Sequence, residues 1–501
     1  MAKALMFVGT SSESGKSVMA AAFCRIFMRK NCRVAPFKSQ NMALNSGVTP
    51  DGREMGRAQI VQAEAAGIEP CVDMNPVLLK PTSEKGSQVV VRGLVRGNFD
   101  AADYYRHKQS LWPDVTGSYD RLADAYDVVV LEGAGSPVEM NLKKNDIVNM
   151  AMAEYAGARV ILVADIDRGG VFAAVVGTVE LLEQHERDRL IGIIINKFRG
   201  DPALLQDGLD FIYTKTGFPV LGVVPCLHDL YIPGEDSVAL ERKRSAGAPE
   251  SALASIGILQ LPHIANYTDF DPLECDPRFS VAYVASAGDL GRYDAVVIPG
   301  SKNVFYDYRF LEKSGIAAQL ERYRSGGGRI AGICGGFQML GETIRDPHGV
   351  ESDAQELQAL GFLPVCSVMD RSKVTERVGH SFLLPGTDTG ISVSGYEIHM
   401  GRTVIREGGT AVSLTDGAAG AGPAGIASPD GKVWGTYLHG LFDSDLLRDG
   451  FLAWIHGGRR PVSDASFDYR SFKEKNYDRL ADTVEQHVDV PLVMTALGLT
   501  L

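Results

Sequence analysis

Patterned cysteine is missing: the seven cysteines, at 24, 32, 71, 226, 275, 334 and 366, form no C-x-x-C pair and no regular spacing. An odd, scattered set excludes a disulfide framework and a structural zinc site. Positive charge is also short, with 50 Lys and Arg against 62 Asp and Glu and a net charge of -12. No basic stripe offsets that total, so wrapping of nucleic acid by counterion release is not expected. An acidic small-molecule substrate stays open, because a few buried cations can set a local field. No apolar run reaches membrane-spanning length, and the opening M-A-K-A-L-M-F-V-G has no long apolar region with a cleavage site. The expectation is a cytoplasmic chain without a membrane partner. No internal repeat is visible. What is there is ordinary for a globular protein, 45% hydrophobic and 22% charged, but 501 residues exceed what one core holds.

Short apolar runs alternate with amphipathic stretches, as parallel α/β sheets require. Strands are expected at 5–8, 128–131, 160–164, 191–195 and 220–223. The pattern lapses over 241–254 (E-R-K-R-S-A-G-A-P-E-S-A-L-A), read as a linker. It resumes at 256–261, 295–298, 329–333 and 433–438. The fold class is α/β, with two doubly wound domains at 1–240 and 255–450 and a helical tail at 451–501. In that tail Leu480, Ala481 and Val484 share one face. Residues 415–431, rich in Gly and Ala, read as a surface loop.

Residues 9–17, G-T-S-S-E-S-G-K-S, follow the first strand and precede an apolar helix. Small residues from Gly9, Thr10, Ser14 and Gly15 let backbone N–H groups turn inward around phosphate oxygens. Lys16 neutralises the outer phosphates and Ser17 offers a hydroxyl to Mg²⁺. Glu132 ends an apolar strand above the loop and is the second metal candidate; Asp165 and Asp167 are weaker ones. Asn196, beside Lys197 at another strand end, is positioned to reach the nucleotide. The loop has one residue more than the standard G-x-x-x-x-G-K-[ST] and resembles the variant of dethiobiotin synthetase and its relatives. ATP and Mg²⁺ are the expected cofactors, with no tightly bound organic group.

Residues 329–338, R-I-A-G-I-C-G-G-F-Q, place Cys334 on a tight strand-to-helix turn, where a helix N-terminus favours the thiolate. The pattern G-x-C-x-G-x-Q resembles triad-type (class I) glutamine amidotransferases. By that resemblance Cys334 forms the glutamyl thioester and Gln338 seats glutamine. His439, 105 positions on in V-W-G-T-Y-L-H-G-L-F, fits as the base. The oxyanion hole is expected from the Gly335 N–H and an amide of P-G-S-K-N at 299–303, near Gly300 and Ser301. Many such enzymes carry Glu two residues after the His; here it is Leu441. The imidazole is therefore oriented by another group or works in a dyad, with Glu397 and His399 as candidates for orienting or substrate seating.

A glutaminase alone wastes glutamine and an activating domain alone lacks a nucleophile; fused, they form amides. P-F-K-S-Q-N-M-A-L-N-S (36–46), E-M-G-R-A-Q (54–59), N-P-V-L-L-K-P (75–81), L-E-G-A-G-S-P-V-E-M-N-L (131–142), D-I-D-R-G-G-V-F (165–172) and G-Y-E-I-H-M-G-R-T (395–403) resemble the cobyric acid synthases along effectively the whole chain. That family lacks the His-x-Glu step as well. The resemblance implies amidation of four peripheral carboxylates (b, d, e, g) of adenosylcobyrinic acid a,c-diamide, each with one ATP and one glutamine. It makes Lys38, Gln40, Asn41, Asn45, Arg57, Gln59 and Lys80 candidates for the corrinoid, with Arg168 as an outlier. Cobyrinic acid a,c-diamide synthase is the nearest rival, and a partitioning-type ATPase switch a more distant one. A homo-oligomer is left open.

Overall fold

The first strand, Lys3–Gly9, is buried along six of its seven residues and sits inside a wholly parallel sheet. In order, that sheet runs Val220–Pro225, Leu190–Phe198, Arg159–Asp165, Lys3–Gly9, Val128–Glu132 and Val34–Phe37. Burial on both faces explains the β-branched runs V-V-V-L and I-I-I. Val34–Phe37 carries Pro36, which an edge strand tolerates because one side needs no N–H. The chain crosses to either side of Lys3–Gly9, so a crevice opens at that strand's carboxyl end.

The computed structural model describes residues 2–82, 86–227, 230–234, 252–387, 389–406, 408–415, 425–459 and 467–499. The expected linker therefore lies outside the described residues except for 252–254, and the expected loop at 415–431 does so over 416–424.

A second sheet begins parallel, in the order Phe279–Val284, Ala254–Leu259, Ala295–Ile298, Arg329–Ile333 and Val433–Thr436. It then turns antiparallel through Gly425–Ala427, Thr410–Thr415 and Val365–Phe382. The last of these pairs with Ile391–Ile405 in a long hairpin. This antiparallel wing has no counterpart among the expected strands: along its long hairpin buried residues are interspersed with half-buried and exposed ones, among them the charged Arg371, Glu376, Arg377 and Arg402, so no apolar run marks it.

The hairpin reaches the N-terminal half. Arg377 Nε donates to the Val48 carbonyl (2.9 Å), Tyr396 Oη to the Ser46 carbonyl (3.2 Å), and Lys373 pairs with Glu54. Asn45 and Ser46 answer from the other side, Asn45 Oδ1 accepting from Tyr267 N and Ser46 N donating to Asn266 Oδ1, both at 3.0 Å. The tail also crosses back. Helix Tyr469–His487 buries Tyr477, Leu480, Ala481 and Val484 against helix Lys16–Arg29 and the first sheet. Arg25 adds ion pairs to Glu474 and Asp478, each 2.9 Å. Gly222 is where backbones meet, since a Cβ there would stand 2.0 Å from the His487 carbonyl oxygen. No helix among the described residues is long and apolar enough to cross a membrane.

Candidate functional sites

Two clefts carry the chemistry-bearing residues. The first opens where Lys3–Gly9 turns into helix Lys16–Arg29, with about 500 Å³ of water-accessible space lined by Gly15, Lys16, Ser17, Lys38, Asn41 and Glu132 among others. Gly15 has φ 105°, a left-handed conformation that side chains resist, and a Cβ there would stand 2.0 Å from Asn196 Nδ2. Asn196 Nδ2 donates to the Ser14 carbonyl (2.9 Å), so its amide braces the loop from behind. Lys197 Nζ donates to the Glu13 carbonyl (2.6 Å) and pairs with Asp165 (2.7 Å). Asp167 pairs with Arg199, and Arg168 with Glu13. Both weaker metal candidates are thus matched by cations.

Glu132, 1% exposed, is the hub. Its Oε1 accepts from Ser17 Oγ (2.7 Å) and Lys38 Nζ (2.8 Å), and its Oε2 from Gln62 Nε2 (2.6 Å). Burial alone would raise its carboxyl, but the Lys38 charge and these donors hold it below the ordinary range. Hydroxyl and carboxylate oxygens side by side are the donors that Mg²⁺ prefers.

The residues expected at the corrinoid separate. Lys38 and Asn41 line this cleft, with Asn41 bonded to Gln59 (3.0 Å). Gln40 accepts from Tyr104 Oη (2.5 Å), Asn45 holds the interdomain contact, and Arg57 lies half-buried in the field of Glu64, Tyr396 and Asp443. Lys80 lines the other cleft.

That second cleft is narrow, about 50 Å³ of water-accessible space, and Cys334 faces it. Strand Arg329–Ile333 delivers Cys334 with φ 53° and ψ -108°, outside the favoured regions for a side-chain-bearing residue, ahead of helix Gly335–Leu340. Such backbone costs roughly 1–3 kcal/mol and holds the sulfur where a relaxed turn would not. A Cβ on Gly335 would come within 2.9 Å of the Ser301 nitrogen, and one on Gly336 within 2.0 Å of the Ile298 carbonyl oxygen. Glycine at both positions lets the Ser301 turn close over the elbow. Gln338 Nε2 donates to Tyr437 Oη (3.0 Å) from the cleft wall.

His439 is 1% exposed and also faces the cleft. Its Nδ1 lies 2.6 Å from Asp269 Oδ2, and Asp269 Oδ1 accepts from Gly440 N (3.0 Å). Tyr396 stacks on the ring with centroids 5.3 Å apart. Among the described residues His439 Nε2 is buried without a hydrogen-bond partner. Burial would lower the imidazole, but the Asp269 carboxylate and the charge of the Cys334 sulfur push it up to about 10. Glu397 instead joins His399 Nε2 (3.0 Å) and His380 (3.4 Å), while His399 stacks on Tyr437.

Asp269 is the group that sequence reasoning missed. It lies 170 positions before His439, in L-P-H-I-A-N-Y-T-D-F-D-P-L (261–273), where several carboxylates compete and none stands at a motif spacing from the histidine. Asp271 in the same block is just as buried, so what distinguishes Asp269 is its contact with His439, which only the fold supplies.

Comparison with known proteins agrees with this division. Residues 5–236 match the CobQ/CobB/MinD/ParA nucleotide binding domain, and residues 255–446 the CobB/CobQ-like glutamine amidotransferase domain. Over its full length the chain is similar to three proteins named cobyric acid synthase. That of Syntrophobacter fumaroxidans is 50% identical, with 99% of each chain covered. That of Moorella thermoacetica is 48% identical, covering 100% of this chain and 98% of the relative. That of Salmonella typhimurium is 49% identical, with 99% of each covered.

Proposed function

The chain belongs to the cobyric acid synthase family, an enzyme family of glutamine-using ligases, and from that premise we propose how its residues share the work. The observation that carries the reading is the buried His439, held at Nδ1 by Asp269 with its Nε2 left for a group in the cleft of Cys334.

In this reading the Cys334 sulfur adds to the side-chain carbonyl carbon of glutamine. The resulting oxyanion takes hydrogen bonds from the Gly335 and Ser301 N–H groups. His439 Nε2 gives a proton to the departing nitrogen, which leaves as ammonia while a thioester remains on Cys334. Water, deprotonated by His439, then releases glutamate. Asp269 fixes the tautomer and stabilises the imidazolium, as the carboxylate of a Ser-His-Asp triad does. Glu397 and His399 seat substrate and do not orient the base.

In the other cleft the backbone of 9–17 cradles the ATP phosphates, Lys16 neutralises the outermost charge, and Asn196 keeps the loop in shape. Ser17 and Glu132 would hold Mg²⁺, which when bound draws charge from the phosphates. A corrinoid carboxylate attacks the γ-phosphorus and ADP leaves. Ammonia then displaces phosphate from the acyl phosphate to give the amide. Lys38 and Asn41 are the corrinoid candidates in position to meet that carboxylate. The substrate is adenosylcobyrinic acid a,c-diamide and the product adenosylcobyric acid, in a cytoplasmic enzyme whose partners are small molecules.

Incubation with ATP, Mg²⁺, glutamine and the a,c-diamide, followed by mass spectrometry, tests the reading. Four successive falls of about one mass unit, each an OH replaced by NH₂, are expected. An unchanged mass, with amidation of cobyrinic acid itself, would transfer the chain to its nearest rival.

A further inference from the structure

The cleft of Cys334 is not built from the amidotransferase half alone. Lys80, on strand Val77–Pro81 of the N-terminal half, lines it together with Lys302 and Lys373. Lys80 is 3% exposed, donating to Ser46 Oγ (2.8 Å) and Glu54 Oε1 (2.7 Å). Lys373, from the long hairpin, pairs with the other oxygen of the same Glu54. Lys302 follows Ser301, the expected oxyanion residue, and has no ion-pair partner within 4.0 Å among the described residues.

Charge does not balance here. Three ammonium groups share Glu54 and Glu351. Burial, then repulsion from Lys80 and Lys302 against the attraction of Glu54, leaves Lys373 down at about 7, while burial pushes Glu351 up to about 7. Lys302 is likewise pushed down by burial first and by Lys80 next. Cations packed this closely are costly to bury unless an anion joins them. Glutamine carries one at its α-carbon, at the opposite end from the amide that must reach Cys334.

We propose that Lys80, contributed by the nucleotide-binding half, joins Lys302 and Lys373 in binding the α-carboxylate of glutamine, so that the glutamine site is complete only when the two halves are docked. The inference rests on Cys334 being the glutaminase nucleophile. Glu54 holds Lys80 and Lys373 in one carboxylate across the interface, and separating the halves would break that pair. Glutamine capture thereby becomes dependent on the half that consumes the ammonia.

The test uses the whole enzyme. With the wild type, the α-methyl ester of glutamine should lose about a hundredfold in kcat/KM relative to glutamine, since it cannot meet the ammonium groups. Lys80→Met should raise the glutamine KM about tenfold or more, with kcat changing less than threefold. Glu54 keeps Lys373 as a counter-ion in that variant. Alkylation of Cys334 by a diazoketone analogue of glutamine should slow by a similar factor, whereas iodoacetamide, which has no carboxylate, should react as in the wild type. Equal use of the ester and of glutamine, or a Lys80→Met KM within about twofold of wild type, overturns the proposal. A wild-type Cys334 inert to both reagents would instead sink the glutaminase reading, and this inference with it.

Discussion

The two clefts are built by opposite strategies. The phosphate-loop cleft takes its cradle from nine consecutive residues, 9–17, and borrows only braces such as Asn196 and Glu132 from neighbouring strands. The Cys334 cleft takes a nucleophile, a base and a carboxylate from positions 334, 439 and 269, a cationic wall from 302 and 373, and Lys80 from the other half of the chain. A phosphate is a large, multiply charged target that a run of backbone N–H groups satisfies locally. Attack on an amide needs a proton moved between specified atoms, and that demands side chains fixed from several directions. The openness of the first cleft and the tightness of the second follow from those tasks.

The largest effect should come from the phosphate loop, because both nitrogen sources depend on it. Lys16→Ala should reduce amidation by about a thousandfold or more whether glutamine or an ammonium salt is supplied, measured by corrinoid mass spectrometry. Retained ammonia-driven synthesis would mean that the loop does not serve the activating step. Cys334→Ala comes next and should separate the clefts. Glutamine-driven turnover should fall by about 10⁴-fold or more, with amidation from ammonium salts persisting. Loss of both in a folded protein would show that the division between the clefts is false.

That same contrast decided what could be read from sequence. Most parallel strands of the two sheets announce themselves as apolar, largely β-branched runs, but the edge strands Val34–Phe37, only four residues long, and Phe279–Val284, half-buried over Val281–Tyr283, were not among the expected ones. The loop at 9–17 and the elbow at 329–338 are contiguous, so their spacing is their signature. The antiparallel hairpin 365–405 shows no such run, because alternate residues such as Arg371, Lys373 and Arg377 point to solvent or to the other half. Asp269 was hidden for a related reason: its role is defined by a distance to His439 that only the folded sheet sets. Lys80 sits in N-P-V-L-L-K-P, which reads as a family block, and nothing local says that its amine faces a cleft in the other half.

Asp269→Asn should lower glutamine-driven turnover by about 10³- to 10⁴-fold, the size seen when a triad carboxylate becomes an amide that cannot fix the tautomer. The variant should also move the imidazole titration. Burial already favours the neutral ring, and without the carboxylate the His439 pKa falls from about 10 towards or below its ordinary value. The sign for stability follows. A His raised in the folded state stabilises fully below its unfolded pKa of about 6.5, and loses that contribution as pH climbs through the folded value. Thermal melting of wild type relative to Asp269→Asn should therefore show its largest gap near and below neutral pH, narrowing above about pH 9.

The smallest expected effect is also the sharpest comparison between two carboxylates in one cleft region. Glu397 is a better-looking partner on paper, two residues from His399 and held down to about 2, since His380 and His399 outweigh a burial that would raise it. Yet its oxygens go to His399 and His380, and none to His439. Glu397→Gln removes a buried charge while keeping shape, so it should cost about 1–3 kcal/mol of stability and less than about tenfold in glutamine kcat/KM. A depressed carboxyl stabilises above its unfolded pKa, so the melting gap should be fullest above about pH 5 and close as pH falls towards 2. Asp269→Asn should show the reverse profile, with a large kinetic loss and a gap that closes at high pH. If Glu397→Gln instead matched Asp269→Asn in turnover, the imidazole would be oriented from the hairpin, and the triad proposed for this cleft would have to be redrawn around Glu397.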